Sequence, residues 1–312
     1  MIAKNMTRMG TACVIAVLAG LGVGQFCQPV FFKLLVPLAL FMMLFPAMVN
    51  IEINKIKETL GAPRILGLTL FLNYVLSPLL IVAIVRLFFT DAHADLSAGL
   101  ILYGIIPCGG MVPAFTSMKN GNVSLAVTTT AVNLLISILA VPIWTPILLG
   151  RIFPVPLLLI GKYLLVIIAV PLTLAEISRK LFIRRYGEAT FQKAKQRIKG
   201  MQNYGLMLML FILFALNGKR VFNAPGLILN VMCPTAVFLA TLFFVSRLFS
   251  SLFRMRAEDA TAFIFCTTAK NNAVAMALAI TAFGPEAALT NAVAGPLVQL
   301  PMLLIYLHAI SR

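Results

Sequence analysis

Two short motifs interrupt otherwise apolar stretches of the chain, and both carry residue types that can bind a solute. Pro107-Cys-Gly-Gly-Met-Val-Pro113 places two prolines, two glycines and a thiol within seven residues. Thr267-Thr-Ala-Lys-Asn-Asn272 places hydroxyl, amine and amide groups side by side. Proline and glycine both disfavour helix interiors, so a helix that contains the first motif is expected to break there.

The composition places these motifs inside a membrane. Of the 312 residues, 61% are hydrophobic and 11% are charged, whereas ordinary soluble domains have roughly 45–50% and about 25%. Apolar runs of about 20 residues, long enough for one helix to cross a bilayer, follow one another along the chain. We therefore expect one all-α integral-membrane domain over residues 1–312. The N-terminal apolar run is interpreted as a retained first crossing, because no small-residue cleavage site follows it.

Charged and turn-forming residues divide the chain into ten predicted crossings. Their ranges are about 9–27, 31–50, 65–88, 96–118, 122–149, 156–177, 201–217, 226–246, 259–283 and 287–308. With both termini in the cytoplasm, 18 of the 25 lysines and arginines face the cytoplasm, four face outward and three lie within crossings. This asymmetry is what the positive-inside rule predicts for a cell inner membrane protein. It also accounts for the net charge of +16 without a nucleic-acid partner.

The longest predicted loop, 178–200, lies near the middle of the chain and is rich in basic residues. With five crossings on each side of a cytoplasmic linker, the second half must be inserted upside down relative to the first. We therefore predict two inverted repeats, at about 1–150 and about 151–312. Contact of the basic linker with anionic lipid is a further possibility that its charge alone does not establish.

The two motifs fall in the fourth crossing of each predicted repeat. Broken helices at corresponding positions of inverted repeats indicate a transporter's solute site. The alternative is a proline kink together with a polar contact between helices. Candidate solute-binding residues are Asn73, Cys108, Gly109, Gly110, Thr130, Asn133, Thr267, Thr268, Lys270, Asn271, Asn272 and Gln299.

Lys270 is the charged residue predicted to lie near the middle of the membrane. All nine acidic residues map to loops or to the ends of crossings. A cation at the centre of a membrane helix costs at least about 2.5–3.5 kcal/mol. We hypothesise that Lys270 attracts an anionic solute or alternates between charged and neutral forms; a structural lysine that caps a half-helix is the alternative. The five cysteines match no metal or disulfide spacing, and a small buried hydrophobic role is the default for each.

Several segments resemble the superfamily that joins bile acid:sodium symporters to arsenite permeases of the arsenical-resistance type, and the arsenite permeases most closely. Phe41-Met-Met-Leu-Phe-Pro46 resembles the permeases' Met-Met-Tyr-Pro, and Leu72-Asn-Tyr-Val-Leu-Ser-Pro78 resembles their Leu-Asn-Trp-Val-x-Gly-Pro. Cys108 stands where they carry an essential cysteine. Gly295-Pro-Leu-Val-Gln-Leu-Pro-Met-Leu303 is similar to their last helix.

This resemblance implies a panel of helices 1, 2, 6 and 7 beside a core of helices 3–5 and 8–10, with helices 4 and 9 crossing at the site. It implies that the Cys108 thiol meets As(III) and that Asn73, Thr130, Asn133 and Gln299 line the core cavity. Na⁺ and H⁺ are the candidate coupling ions. The chain departs from the permeases where they carry glutamates, near Ala273 or Val274 and at Gln299, and Pro107 replaces their arginine.

The leading functional prediction is thus a secondary transporter of arsenite or another small solute, which uses alternating access and no cofactor. An organic-anion transporter is the second hypothesis, since Lys270 and half-helix N-termini would favour a carboxylate. A channel is a remote third, because broken helices also build pores. Intramembrane enzymes are not indicated: the sequence has no HExxH motif, no paired membrane aspartates and no nucleophile elbow.

Overall fold

The computed structural model describes residues 2–26, 30–49, 63–89, 94–150 and 157–310. The first half of these residues forms helices α1 (Ile2–Phe26), α2 (Val36–Val49), α3 (Pro63–Phe71), α4 (Ser77–Phe88), α5 (Ala94–Ile105), α6 (Val112–Met118) and α7 (Val123–Leu149). The second half forms α8 (Leu157–Tyr186), α9 (Glu188–Leu216), α10 (Gly218–Asn223), α11 (Gly226–Leu252), α12 (Ala257–Thr268), α13 (Asn272–Ala282), α14 (Pro285–Val293) and α15 (Leu300–Ala309).

The regular structure of the described residues is helical, and much of it is apolar enough to lie in a membrane. Seven continuous helical stretches are long and apolar enough to cross a bilayer. Three shorter apolar helices, Gly10–Phe26, Ala94–Ile105 and Asn272–Ala282, accompany them. The last two of these are halves of interrupted helices, and each is shorter than the about 20 residues that one crossing needs. The protein is therefore a multi-pass, all-α membrane protein.

The prediction of a long central loop at 178–200 is wrong, because this segment is largely helical. Helix α8 continues to Tyr186, and α9 begins at Glu188, so the polar segment is helical except for one residue. Gly187, at φ 80°, makes the turn between the two helices. Lysine, arginine, glutamate and glutamine are good helix formers, and Glu176 pairs with Arg179 and Lys180 one turn later. A drop in hydropathy marked the end of the apolar stretch and not the end of the helix.

Four helices pack on one another at one side of the molecule. Helix α9 packs along both α1 and α2, and α8 packs along α2. The approach of α1 to α9 is close, since a Cβ on Gly20 or Gly24 would lie 2.5 or 2.4 Å from the carbonyl oxygen of Phe211 or Ala215. Small residues at such spacing let membrane helices approach backbone to backbone. We call α1, α2, α8 and α9 the panel.

The remaining helices pack mainly among themselves and hold both motifs. Helix α5 packs on α14, α13 packs on α14, and α12 packs on α7 and α11. The structure contains both predicted interruptions, between α5 and α6 and between α12 and α13. It also contains two π-helical segments, Leu72–Leu76 and Ala294–Gln299, which lead into α4 and α15. Such wide turns re-aim side chains and are frequent at functional sites.

Candidate functional site

The two interrupted helices cross, and their exposed backbones pair with each other. Cys108 and Lys270 form an antiparallel bridge. The Gly109 N–H donates to the Ala269 carbonyl at 3.0 Å, and the Asn271 N–H donates to the Pro107 carbonyl at 2.8 Å. Backbone groups released from a helix at membrane depth cost several kcal/mol each when they stay unpaired. Each break therefore supplies the hydrogen-bond partners that the other break needs.

The side chain of Gln299 extends this pairing. Its Oε1 accepts the Lys270 N–H at 2.9 Å, and its Nε2 donates to the Lys270 carbonyl at 3.1 Å. The amide thus takes the place of a further strand beside Lys270. The Tyr103 hydroxyl also donates to Gln299 Oε1. Gln299 is buried. Its three hydrogen bonds therefore hold the amide in place, and the amide in turn holds the backbone of the second break at Lys270.

The Lys270 ammonium points into the protein interior, where its partners are neutral. Lys270 is 2% exposed. Its Nζ donates to Ser77 Oγ at 2.7 Å and to Asn73 Oδ1 at 3.2 Å. It also lies 5.8 Å from the centre of the Phe238 ring, within the range of a cation–π contact. A buried amine is thus coordinated by an amide oxygen, a hydroxyl and an aromatic face.

Asn73 connects this amine to the neighbouring helices. Its Nδ2 donates to Asn133 Oδ1 at 3.1 Å and to the Cys266 carbonyl at 3.0 Å. Asn133 in turn donates to the Thr129 carbonyl at 2.9 Å. The chain of amides therefore joins Lys270 to α7 and to the last turn of α12.

Two thiols lie at the same crossing, one of them on Cys108, the residue paired with Lys270. Cys108 Sγ lies 3.8 Å from Thr130 Oγ1, and Cys266 Sγ lies 3.9 Å from the Ala126 carbonyl oxygen. Thr130 itself donates to Ala126 at 2.7 Å, so both thiols contact one turn of α7. The two sulfur atoms therefore lie near each other at this turn. The described residues contain no group of three or more His, Cys, Asp and Glu side chains suited to a metal ion.

One side of the crossing is accessible and the other is not. Gly110 is exposed, and Met111, Asn271 and Asn272 are partly exposed. A Cβ on Gly110 would lie 3.8 Å from the Cβ of Ala47 in α2, so this side faces the panel. The predicted site residues thus divide into a buried network and an open face toward the panel.

The structure brings most of the predicted site residues together, but the side chains of three of them point elsewhere. Thr267 Oγ1 shares a hydrogen bond of 2.6 Å with Ser246, and Thr268 Oγ1 donates to the Ile264 carbonyl at 2.7 Å. The Thr267 hydroxyl thus connects α12 to α11, whereas the Thr268 hydroxyl bonds within α12. The Asn272 amide packs against Gly295, and its Oδ1 is buried with no hydrogen-bond partner among the described residues. The other predicted residues lie in the buried network or on the open face: Asn73, Cys108, Gly109, Gly110, Thr130, Asn133, Lys270, Asn271 and Gln299.

Sequence reasoning missed four residues of this network. Ser77, Tyr103 and Phe238 surround Lys270 and Gln299, and Cys266 contacts the same turn of α7 as Cys108. Ser77 directly precedes Pro78 in a segment already singled out, which was an available signal. Cys266 directly precedes the Thr-Thr-Ala-Lys-Asn-Asn motif, so its proximity to the break could also have been predicted. Tyr103 and Phe238 are ordinary aromatic residues in apolar runs and carry no such signal.

Comparison with known proteins identifies the family. A model of the sodium bile acid symporter family matches residues 37–224, more than half of the chain. The arsenical-resistance protein Acr3 of Corynebacterium glutamicum is 25% identical over 287 residues, covering 88% of this chain and 77% of that protein. Its counterpart in Alkaliphilus metalliredigens is 25% identical and covers 99% of this chain and 92% of that protein.

A further relative is named as a cotransporter. The probable chloroplastic sodium/metabolite cotransporter BASS3 of Oryza sativa is 23% identical, covering 78% of this chain and 56% of that protein. The crossed breaks and the apolar helices agree with a carrier of small solutes. The chain belongs to the sodium bile acid symporter family, whose members are transporters and not enzymes.

Proposed function

We propose that this protein transports arsenite, or a small solute of similar chemistry, across the cell inner membrane by alternating access. The observation that carries the proposal is the position of Cys108. Its thiol lies at the crossing of both broken helices, fully buried, and its backbone is fixed opposite Lys270. Two relatives are named for arsenical resistance. A buried thiol at the crossing of the two broken helices suits a solute that binds sulfur.

The proposed topology has ten crossings in two inverted repeats, with both termini in the cytoplasm. The panel and the remaining helices would move against each other, and the open face at Gly110 and Asn271 would be the route by which the solute reaches Cys108. The backbone pairing between Gly109 and Ala269 supports such a motion, because it lets both breaks move as one unit.

Lys270 is proposed to act in place of an external coupling cation. Its ammonium already occupies a pocket made of Asn73 Oδ1, Ser77 Oγ and the Phe238 face. Neutral oxygens arranged around a positive charge are also what an inorganic cation would need. We expect transport that depends on protons through Lys270 and does not require Na⁺.

An organic-anion carrier is the second candidate. Helix α13 has 11 residues and begins at Asn272, on the open face, so its positive end is directed to the place where a solute would enter. Lys270 does not contribute a direct contact in this conformation, because its Nζ is turned toward Asn73 and Ser77. A carboxylate solute would make Cys108 dispensable.

The test is arsenite accumulation in cells that lack their own arsenite exporters. Cells with the wild-type chain should contain less arsenite than cells with Cys108→Ser. Cys233→Ser is the matched control, because Cys233 is exposed and lies outside the crossing. Equal arsenite content in cells with the wild-type chain and in cells without it would remove the arsenite proposal. Uptake or export of a carboxylate that Cys108→Ser leaves unchanged would favour the second candidate.

A further inference from the structure

The two thiols at the crossing come from different broken helices and meet at one helical turn. Cys108 lies in the first break, before α6, and is 0% exposed. Cys266 lies in the last turn of α12 and is 1% exposed. Through Thr130 and Ala126 both sulfur atoms contact the same turn of α7. Both sulfurs are free thiols, so no disulfide joins them.

This environment differs from that of an ordinary buried cysteine. Cys13 is also buried, in a cluster whose members are hydrophobic. At the crossing, each thiol instead has an oxygen beside it: Thr130 Oγ1 for Cys108 and the Ala126 carbonyl oxygen for Cys266. Two sulfur atoms, which are soft donors, thus lie at one turn of α7, with the Thr130 hydroxyl beside Cys108. Soft thiolate ligands select thiophilic ions over hard ones such as Mg²⁺ and Ca²⁺.

We propose that Cys108 and Cys266 together form a dithiol site for trivalent, thiophilic hydroxides of the arsenite type. The proposal rests on the function proposed above and adds a second thiol to it. In the binding step, two As–O bonds of As(OH)₃ break and two As–S bonds form. Both thiol protons leave with the two hydroxides as two molecules of water. Arsenic stays trivalent, and the remaining As–OH can hydrogen-bond to the Thr130 hydroxyl.

A bidentate ligand also has a structural consequence. It would join the break before α6 to the last turn of α12. The link would hold the two broken helices together while the solute is carried. A single thiol would capture the solute without joining these elements.

The proposal is tested with phenylarsine oxide, which reacts with two neighbouring thiols to give a cyclic dithioarsenite and one molecule of water. The full chain is purified with Cys13, Cys27 and Cys233 replaced by Ser, so that Cys108 and Cys266 remain. From this parent, Cys108→Ser and Cys266→Ser are made, with Cys266→Ala as a second variant in case the first fails to fold. Size-exclusion chromatography checks the fold, and intact-protein mass spectrometry reads the adduct.

We expect one phenylarsine adduct on the parent, released by excess small dithiol, and none that survives washing on any single-thiol variant. An unmodified parent, or an adduct retained when either cysteine is missing, overturns the dithiol site. The same variants are assayed for arsenite export. Export that needs Cys108 but proceeds at the wild-type rate in Cys266→Ser overturns the dithiol site and leaves the transport proposal standing. A dithiol adduct without any arsenite export leaves the site standing and overturns the transport function.

Discussion

At the scale of single residues, the crossing is organised around one amine. A charge at the centre of a membrane helix costs at least about 2.5–3.5 kcal/mol. The contacts of Lys270 Nζ with Asn73 and Ser77 offset part of this cost without neutralising the charge. A residue that is unfavourable for stability and held in place by several helices is best explained by function.

Lys270→Met is expected to abolish transport while the protein stays folded. The substitution removes the desolvated charge but leaves Asn73 Oδ1 without this donor, which costs about 1–3 kcal/mol. Because these two effects largely offset each other, the thermal unfolding midpoint should change little. Transport is measured in proteoliposomes over a range of pH, with and without a Na⁺ gradient.

Lys270→Arg distinguishes a charge that stays fixed from a charge that alternates between the protonated and neutral forms. Arginine stays protonated, so it should support transport if a fixed cation is sufficient and fail if the charge must alternate. Lys270→Met that transports like the wild type at every pH would show that Lys270 is structural.

Lys270, Asn73 and Cys108 could be predicted as site residues from the sequence, because such residue types are unusual inside an apolar helix. Their partners were less visible. Ser77 and Cys266 are small and common in membrane helices, and only the crossing makes them neighbours of residues almost 200 positions away. Sequence also gave no means to foresee that Gln299 would pair with the backbone of Lys270 rather than line a cavity.

At the scale of elements, the two breaks depend on each other more than on their own sequences. Pro107, Pro113 and the two glycines between them predict the first break. The second contains no proline or glycine, and polar side chains alone indicated it. Its backbone stays out of a helix because Pro107, Gly109 and Gln299 supply the hydrogen bonds that a helix would have provided.

Gly109→Ala should separate the paired breaks. A Cβ on Gly109 would lie 2.8 Å from the Cα of Asn271, and backbone cannot yield as a flexible side chain can. Overpacking of this kind costs about 1–3 kcal/mol. We expect a lower thermal unfolding midpoint and a loss of transport.

Gly110→Ala is the matched control for this prediction. The nearest atom to its Cβ would be the Cβ of Ala47 at 3.8 Å, an ordinary van der Waals contact. This variant should unfold like the wild type. Equal unfolding midpoints for Gly109→Ala and Gly110→Ala would contradict the paired-break account.

Helix lengths were harder to predict than helix positions. Hydropathy located the apolar part of α8 and α9 and ended both where charge begins, although Glu188 and the lysines of α9 continue the helix. Apolar character reports where a helix meets lipid, while helix propensity and i,i+4 pairs decide where it ends.

At the scale of the whole molecule, the panel and the crossing meet at an accessible face. Helices α1, α2, α8 and α9 pack on one another, and α2 and α8 also pack on α13. The packing agrees with the division into panel and core that the family resemblance implies. Alternating access by rigid-body motion requires this contact to change during the cycle.

Cysteines introduced at Ala47 and Gly110 test that motion directly. The Cβ positions of these residues are 3.8 Å apart, which matches the mean Cβ separation in disulfides. Oxidation of Ala47→Cys/Gly110→Cys should therefore join α2 to the first break. If the panel and the crossing must separate for transport, oxidation should abolish solute counterflow in proteoliposomes and a reductant should restore it. The single variants Ala47→Cys and Gly110→Cys, oxidised in parallel, control for damage to Cys108 and Cys266. A cross-linked protein that still carries solute at the rate of the reduced form would rule out movement at this contact, and the solute would then have to pass the crossing while the panel stays fixed.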